Sequence, residues 1–278
     1  MKEYHILSLS GGKDSTALAF FIKENIPEVH EKIEYVFCDT ENEIPETYDY
    51  LDKIEIFLDK PIIRLMPKYS FDHLYQVYRI LPSVNRRWCT VELKTKVFRK
   101  YIYDRLKKEG DGKIHLYIGI RADESERAKS HPNDDRYIIE THPFIENGIK
   151  KQEVMDIIIN SGIGMPDYYS WRKRSGCYFC FYQSKMDWIN LYENHPDLFH
   201  KASSYEHEAI PEKGKGRFGW NVDRSLKDMI KPENMQKIKE NYKKLKEKRA
   251  KQASKNKSNT FFDNFDDPNE PKCLLCHI

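Results

Sequence analysis

The chain has 278 residues, 39% hydrophobic and 33% charged, with a formal net charge of +3. That length supports a sizeable core. No apolar run reaches the roughly 18 residues of a membrane-spanning helix, and the first apolar segment is a short strand rather than a signal sequence. Six cysteines are too few for a disulfide scaffold, and +3 is too small a charge to identify a polyanionic partner. The expectation is a soluble, cytoplasmic enzyme of one main domain plus an appendage, with no membrane partner.

In chain order, strands are predicted over residues 5–9, 33–38, 62–66 and 115–120, and helices over 16–25, 45–58, 94–108 and 152–160. Such alternation predicts an α/β fold, a twisted parallel sheet with helices on both faces, whose ligands sit beyond the carboxyl ends of the strands. Residues 1–165 form this predicted nucleotide-binding domain. Residues 166–230, rich in Tyr, Trp, Cys and His without clear periodicity, predict an irregular, ligand-held cap. The lysine-rich segment 231–278 contains a helix over 235–250 and reads either as an exposed helix fraying into a linker or as a nucleic-acid-binding arm.

Between the first strand and the first helix stands Ser10-Gly11-Gly12-Lys13-Asp14-Ser15. Two glycines let the backbone turn its N–H groups onto an anion, and the helix start adds its positive dipole end. Lys13 adds a point charge, Ser10 and Ser15 supply hydroxyls, and Asp14 caps the helix or orients the loop and its metal. A Walker loop and a dinucleotide fingerprint both require glycine spacings absent here. Asp39-Thr40 follows the second strand. Gly119-Ile120-Arg121-Ala122-Asp123-Glu124-Ser125-Glu126-Arg127 follows the fourth and offers arginines and carboxylates suited to phosphates and Mg²⁺, or a plain solvated loop.

Cysteines form the remaining pattern. Arg86-Arg87-Trp88-Cys89-Thr90, with Leu93-Lys94, and the later Ser175-Gly176-Cys177-Tyr178-Phe179-Cys180 supply three thiols for a metal or cluster; a buried apolar pair or a dithiol are the alternatives. Cys38, inside a predicted strand, reads as core. Arg86, Arg87, Arg172, Lys173 and Arg174 flank these motifs, so a polyanion would meet positive charge there.

The Ser10 loop resembles that of the PP-loop ATP pyrophosphatases, Ser-Gly-Gly-x-Asp-Ser. Asp39-Thr40, Pro45-Glu46-Thr47 and the segment 119–127 resemble, in the same order, motifs of the phosphoadenosine phosphosulfate reductase superfamily over about residues 6–196. The resemblance implies that the loop holds the β and γ phosphates of ATP, that Lys13, Asp14 and Arg121 are catalytic, and that Asp39, Thr40, Gly119, Asp123, Glu124 and Arg127 complete the nucleotide and Mg²⁺ site. Cys89, Cys177 and Cys180 match positions that hold a [4Fe-4S] cluster in iron–sulfur members. Those with two adjacent cysteines at the first site differ from this chain, where Trp88 precedes Cys89, so a fourth ligand comes from Cys273 or Cys276 or is absent; zinc is the alternative metal. The terminal Cys273-Leu274-Leu275-Cys276-His277 is open among ligand, nucleophile and loose end. The combination of a complete loop and paired cysteines looks most like sulfurtransferases that adenylate and thiolate nucleic acid (DNA or tRNA), as in DNA phosphorothioation, with a sulfur-donor protein or a small sulfur compound as further partner. A reductase of adenylyl sulfates or a sulfate adenylyltransferase is the alternative.

Overall fold

The computed structural model describes residues 2–109, 112–129, 135–206, 219–221 and 223–255. Five strands, β1 (Lys2–Leu9), β2 (Ile33–Cys38), β3 (Ile62–Leu65), β4 (Gly112–Tyr117) and β5 (Ile138–Thr141), form one sheet in the order β3-β2-β1-β4-β5. Every pairing is parallel. The chain is therefore α/β with β1 at the centre.

Side chains alternate across this sheet and are covered on both faces, as a parallel sheet demands. Leu7, Leu9, Tyr35 and Phe37 pack with α1 (Lys13–Asn25), α2 (Pro45–Leu58) and α5 (Lys151–Asn160), through Phe20, Leu51, Ile54, Val154 and Ile158. Ile6, Val36, Cys38, Ile114 and Leu116 pack on the opposite face with Phe98, Ile102 and Leu106 of α4 (Lys96–Glu109). Cys38 is 4% exposed and belongs to this core. Fully burying one such side chain contributes about 1.5–3 kcal/mol, which makes these two layers the main support of the strand ends.

Several boundaries differ from the sequence expectation. Helix α1 starts at Lys13 rather than residue 16, because Gly12 takes an extended N-cap conformation and its carbonyl accepts from Thr16 N at 3.1 Å. The expected cap role of Asp14 is thereby corrected: it lies inside the first turn. The helix expected over 94–108 begins with a turn at Trp88–Thr90 and a π-helical stretch Val91–Thr95. Strand β4 runs three residues earlier at each end than expected. Helix α3 (Phe71–Tyr78), capped by Ser70 Oγ accepting from His73 N, and the four-residue β5 were not anticipated.

Among the described residues of the aromatic and cysteine-rich region, the stretch 171–184 that carries the cysteine motif is irregular, and helices follow it. The region contains α6 (Lys185–Asn194), started by a reciprocal Ser184–Asp187 capping box, and α7 (Pro196–Ser204). An aromatic core holds it together. Phe71 and Phe179 centroids lie 4.0 Å apart, Phe179 stacks on Trp220 at 5.6 Å, and Trp188 is 1% exposed. Phe71 belongs to α3, so this core joins the late helices to the sheet domain. The last described element is α8 (Pro232–Lys255), longer than the helix expected over 235–250. Among the described residues no helix is long and apolar enough to cross a membrane.

Candidate nucleotide and cysteine site

The turn between β1 and α1 is built from its own side chains. Gly11 takes φ +69, Gly12 N donates to Ser10 Oγ at 3.3 Å, and Ser10 N donates to Ser15 Oγ at 3.1 Å. Ser10 and Ser15 hydroxyls are 3.0 Å apart, and Ser15 Oγ donates to Gly12 O. Two tyrosines brace the turn from outside: Tyr168 Oη donates to Gly11 O at 2.7 Å, and Lys13 N donates to Tyr169 Oη at 3.3 Å. Lys13 is 7% exposed, with its ammonium 4.0 Å from Asp14 Oδ2 and over the Tyr169 ring.

Glycine is favoured at Gly11, where a Cβ would stand 3.0 Å from Thr47 Cγ2 in addition to the left-handed backbone. Gly11→Ala is expected to lower unfolding stability by about 1–2 kcal/mol, the cost of the left-handed conformation for an L residue, as read from urea midpoints.

Behind the turn, the segment after β4 locks onto α1. A Cβ at Gly119 would lie 2.8 Å from Asp14 O, so the two backbones touch. Arg121 is 3% exposed and reaches Asp14 Oδ1 at 2.9 Å, Glu124 Oε1 at 2.9 Å and Asp123 Oδ1 at 3.1 Å. Burial acts against this guanidinium, but the Asp14, Glu124 and Asp123 carboxylates outweigh it and hold its pKa above the ordinary arginine value. Arg127 lies 3.4 Å from Glu124 Oε2. This segment is therefore not a plain solvated loop: Arg121 is a buried clamp whose carboxylate contacts tie it to α1.

Asp39 and Thr40 stand at the end of β2. Asp39 Oδ1 accepts from Glu41 N and from Tyr48 Oη, both at 2.8 Å. Thr40 Oγ1 donates to Glu43 Oε2 at 2.9 Å and lies 3.2 Å from Cys177 Sγ. Lys94 Nζ is 3.6 Å from Glu43 Oε1. Burial lowers the Lys94 pKa, but Glu43, followed by Cys177, Cys38 and Cys180, raises it above the ordinary lysine value.

The cysteine loop abuts the phosphate turn. A Cβ placed on Gly12 would fall 2.6 Å from Ser175 Oγ. Cys89, Cys177 and Cys180 line one cleft with Ser10, Thr40 and Lys94. The loop is fastened by Arg172, which is 2% exposed and donates to Gly176 O at 2.9 Å and Cys177 O at 2.6 Å. Arg172 was expected to face a polyanion; it is instead buried in service of the loop.

Three thiols at one cleft suit zinc or an iron–sulfur group by their chemistry. Among the described residues, however, no group of three His, Cys, Asp or Glu side chains is arranged to hold a metal ion. Cys89, Cys177 and Cys180 nevertheless line the same cavity. Cys273 and Cys276 lie outside the described residues. Burial, then Cys180, pushes the Cys89 thiol up to about 11, and burial, then Glu43, raises Cys177 as well. A thiol so raised is protonated at neutral pH and forms thiolate only as the pH approaches its pKa. Metal-free protein should therefore alkylate at Cys89 far more slowly than free cysteine at pH 8, with the rate rising toward pH 11, measured by iodoacetamide labelling and peptide mass spectrometry.

Glu43, Tyr48, Tyr168, Tyr169 and Ser175 were not singled out as site residues from sequence. Tyr48 and Glu43 flank named motifs, but the tyrosine pair arrives from more than 150 positions away and carries no local signal.

Comparison with known proteins places these observations. The chain is 28% identical over 208 residues to "Uncharacterized nin region protein ORF290" of Escherichia phage lambda, covering 65% of this chain and 66% of that protein. It is 26% identical over 212 residues to "Uncharacterized protein MJ0973" of Methanocaldococcus jannaschii, covering 72% of this chain and 47% of that protein. The matched part spans less than two thirds of either relative. A crystal structure of phosphoadenylyl-sulfate (PAPS) reductase from Candida auris in a phosphate complex aligns at TM-score 0.47 and 16% identity, covering 63% of this chain and 82% of that one. Residues 4–166, from β1 through α5, match the phosphoadenosine phosphosulfate reductase domain, and with the five-stranded parallel sheet and its glycine turn they make the chain a member of that family.

Proposed function

We propose that the chain is an ATP-cleaving sulfurtransferase: it adenylates an acceptor, releasing pyrophosphate, and a sulfur nucleophile then displaces AMP. Family membership supports a nucleotide-using enzyme of sulfur chemistry. The finer reading is supported by the close approach of Ser175, in the cysteine loop, to Gly12 of the glycine turn.

In the first step an acceptor oxygen attacks the α phosphorus, forming an O–P bond, and the bond to the bridging oxygen breaks so that pyrophosphate leaves with its electron pair. Amides of the Ser10–Ser15 turn and the Lys13 ammonium stabilise the charge growing on that leaving group. Asp39 or Asp14 would hold Mg²⁺, which would supply charge neutralisation for the phosphates. In the second step a sulfur anion forms a bond to the activated centre, and AMP leaves with the electrons of the former C–O or P–O bond. The proposed acceptor is nucleic acid. Iron–sulfur or zinc binding by Cys89, Cys177 and Cys180 is a separate proposal, read from visible absorption and metal content of anaerobically purified protein.

Incubation with labelled ATP, nucleic acid and sulfide as the sulfur donor is expected to yield AMP and pyrophosphate in equal amounts, with sulfur appearing in nucleosides by mass spectrometry. The second reading, favoured by the family match alone, is reduction of an adenylyl sulfate. Sulfite release without ATP, and no AMP from ATP, would establish that reading instead.

A further inference from the structure

Around the cysteine cleft, cationic side chains continue outward in an ordered row. The Arg87 and Arg174 guanidiniums each lie 5.8 Å from the ring centroid of Tyr182, a residue that lines the cleft. Next to Arg174, Lys173 places its ammonium 5.2 Å from the ring centroid of Tyr242 on α8. That helix has nine lysines and arginines against three glutamates in its 24 residues. The first half of its apolar side is already used: Ile238 is 9% exposed, and α8 packs against α6.

Helical periodicity sets Lys239 and Lys246, three residues before and four after Tyr242, beside that tyrosine, with Lys243 adjoining them. Lys239 is paired with Glu193, whereas Lys243 and Lys246 are exposed. We propose that this flank of α8, continued by Lys173 and Arg174, is a track for the phosphate backbone of nucleic acid leading to the cysteine cleft. The inference rests on the sulfurtransferase reading for why the track ends where it does.

Charge and shape select this partner. Lysines bind phosphates as point charges and read no sequence, which suits a surface that positions a polymer. A membrane-surface helix would need a continuous apolar face for insertion, and here Ile238 is packed away, which leaves Leu245 as an isolated exposed apolar side chain among lysines. An acidic protein would need apolar anchors at the centre of the contact, and this flank presents charged groups.

The test uses the full chain and fluorescence anisotropy with labelled DNA and RNA single strands and duplex, longer than the roughly 4–16 nucleotides of a single-strand site. Affinity should fall steeply between about 50 and 200 mM salt. The double variant Lys243→Glu/Lys246→Glu should bind about tenfold or more weakly, with a log–log salt slope shallower by about 2, one for each lost phosphate contact. Circular dichroism checks that α8 persists. Unchanged affinity in the folded variant overturns the track, as does displacement of the oligonucleotide by polyglutamate as readily as by unlabelled oligonucleotide. AMP formation is assayed in parallel. Binding that depends on Lys243 and Lys246, without any AMP from the unaltered chain, sinks the sulfurtransferase reading and keeps the track; AMP formation with binding unaffected by the variant does the reverse.

Discussion

Lys13→Ala is expected to reduce formation of AMP and pyrophosphate from ATP by a factor of about 10²–10³, the usual loss when one preorganised charge-stabilising group is removed. The fold should persist. Lys13 lies in the first turn of α1, and Asp14 beside it keeps its ion pair with Arg121 at 2.9 Å, so no carboxylate is stranded. The loss should fall on kcat, because charge accumulates on the leaving pyrophosphate only as the bond to the α phosphorus breaks. Lys13→Arg tests placement, since a guanidinium keeps the charge but not the compact ammonium. Chromatographic quantification of AMP under saturating ATP decides the matter: undiminished AMP from Lys13→Ala removes this side chain from the reaction.

A different kind of loss is expected at Arg121. Arg121→Ala should destabilise the folded chain by about 3 kcal/mol, because the enclosed carboxylates of Asp14 and Glu124 would lose it and keep the longer contacts to Lys13 at 4.0 Å and Arg127 at 3.4 Å. Three carboxylates, from Asp14, Asp123 and Glu124, converge on this one side chain, of which 4% is exposed. The same guanidinium ties the segment after β4 to the first turn of α1, so the nucleotide turn should loosen with it. Arg121→Lys should recover only part of the stability, since a single ammonium cannot present donors to three acceptors in the planar fork of arginine. Urea unfolding at neutral pH measures both variants; an alanine variant within about 0.5 kcal/mol of the parent, the range of ordinary surface substitutions, would show that the clamp is not structural.

Local pattern carried much of the fold. The strand at Ile33–Cys38 and the helix at Pro45–Leu58 have the limits that hydrophobic periodicity assigns them, because burial on the sheet imposes the period directly. Strand β5 escaped because Ile138–Thr141 is only four residues long and has no run to detect. The helices of the aromatic cap escaped for a related reason. Its rings come from Phe71, Phe179, Trp188, Tyr205 and Trp220, so their pairing has no period within any one segment.

What the amino-acid sequence determined by itself is the parallel α/β frame and the glycine turn at Gly11 and Gly12, since strand and helix periods and the need for a left-handed residue are local properties. What only the tertiary structure decided is the use of the charges around that turn. Arg121 and Arg172 look alike in sequence to the surface arginines near them, yet one is enclosed by three carboxylates and the other by two carbonyls of the cysteine loop. The physical reason is that a charge's role depends on its solvation and partners, and both are set by residues brought near through folding.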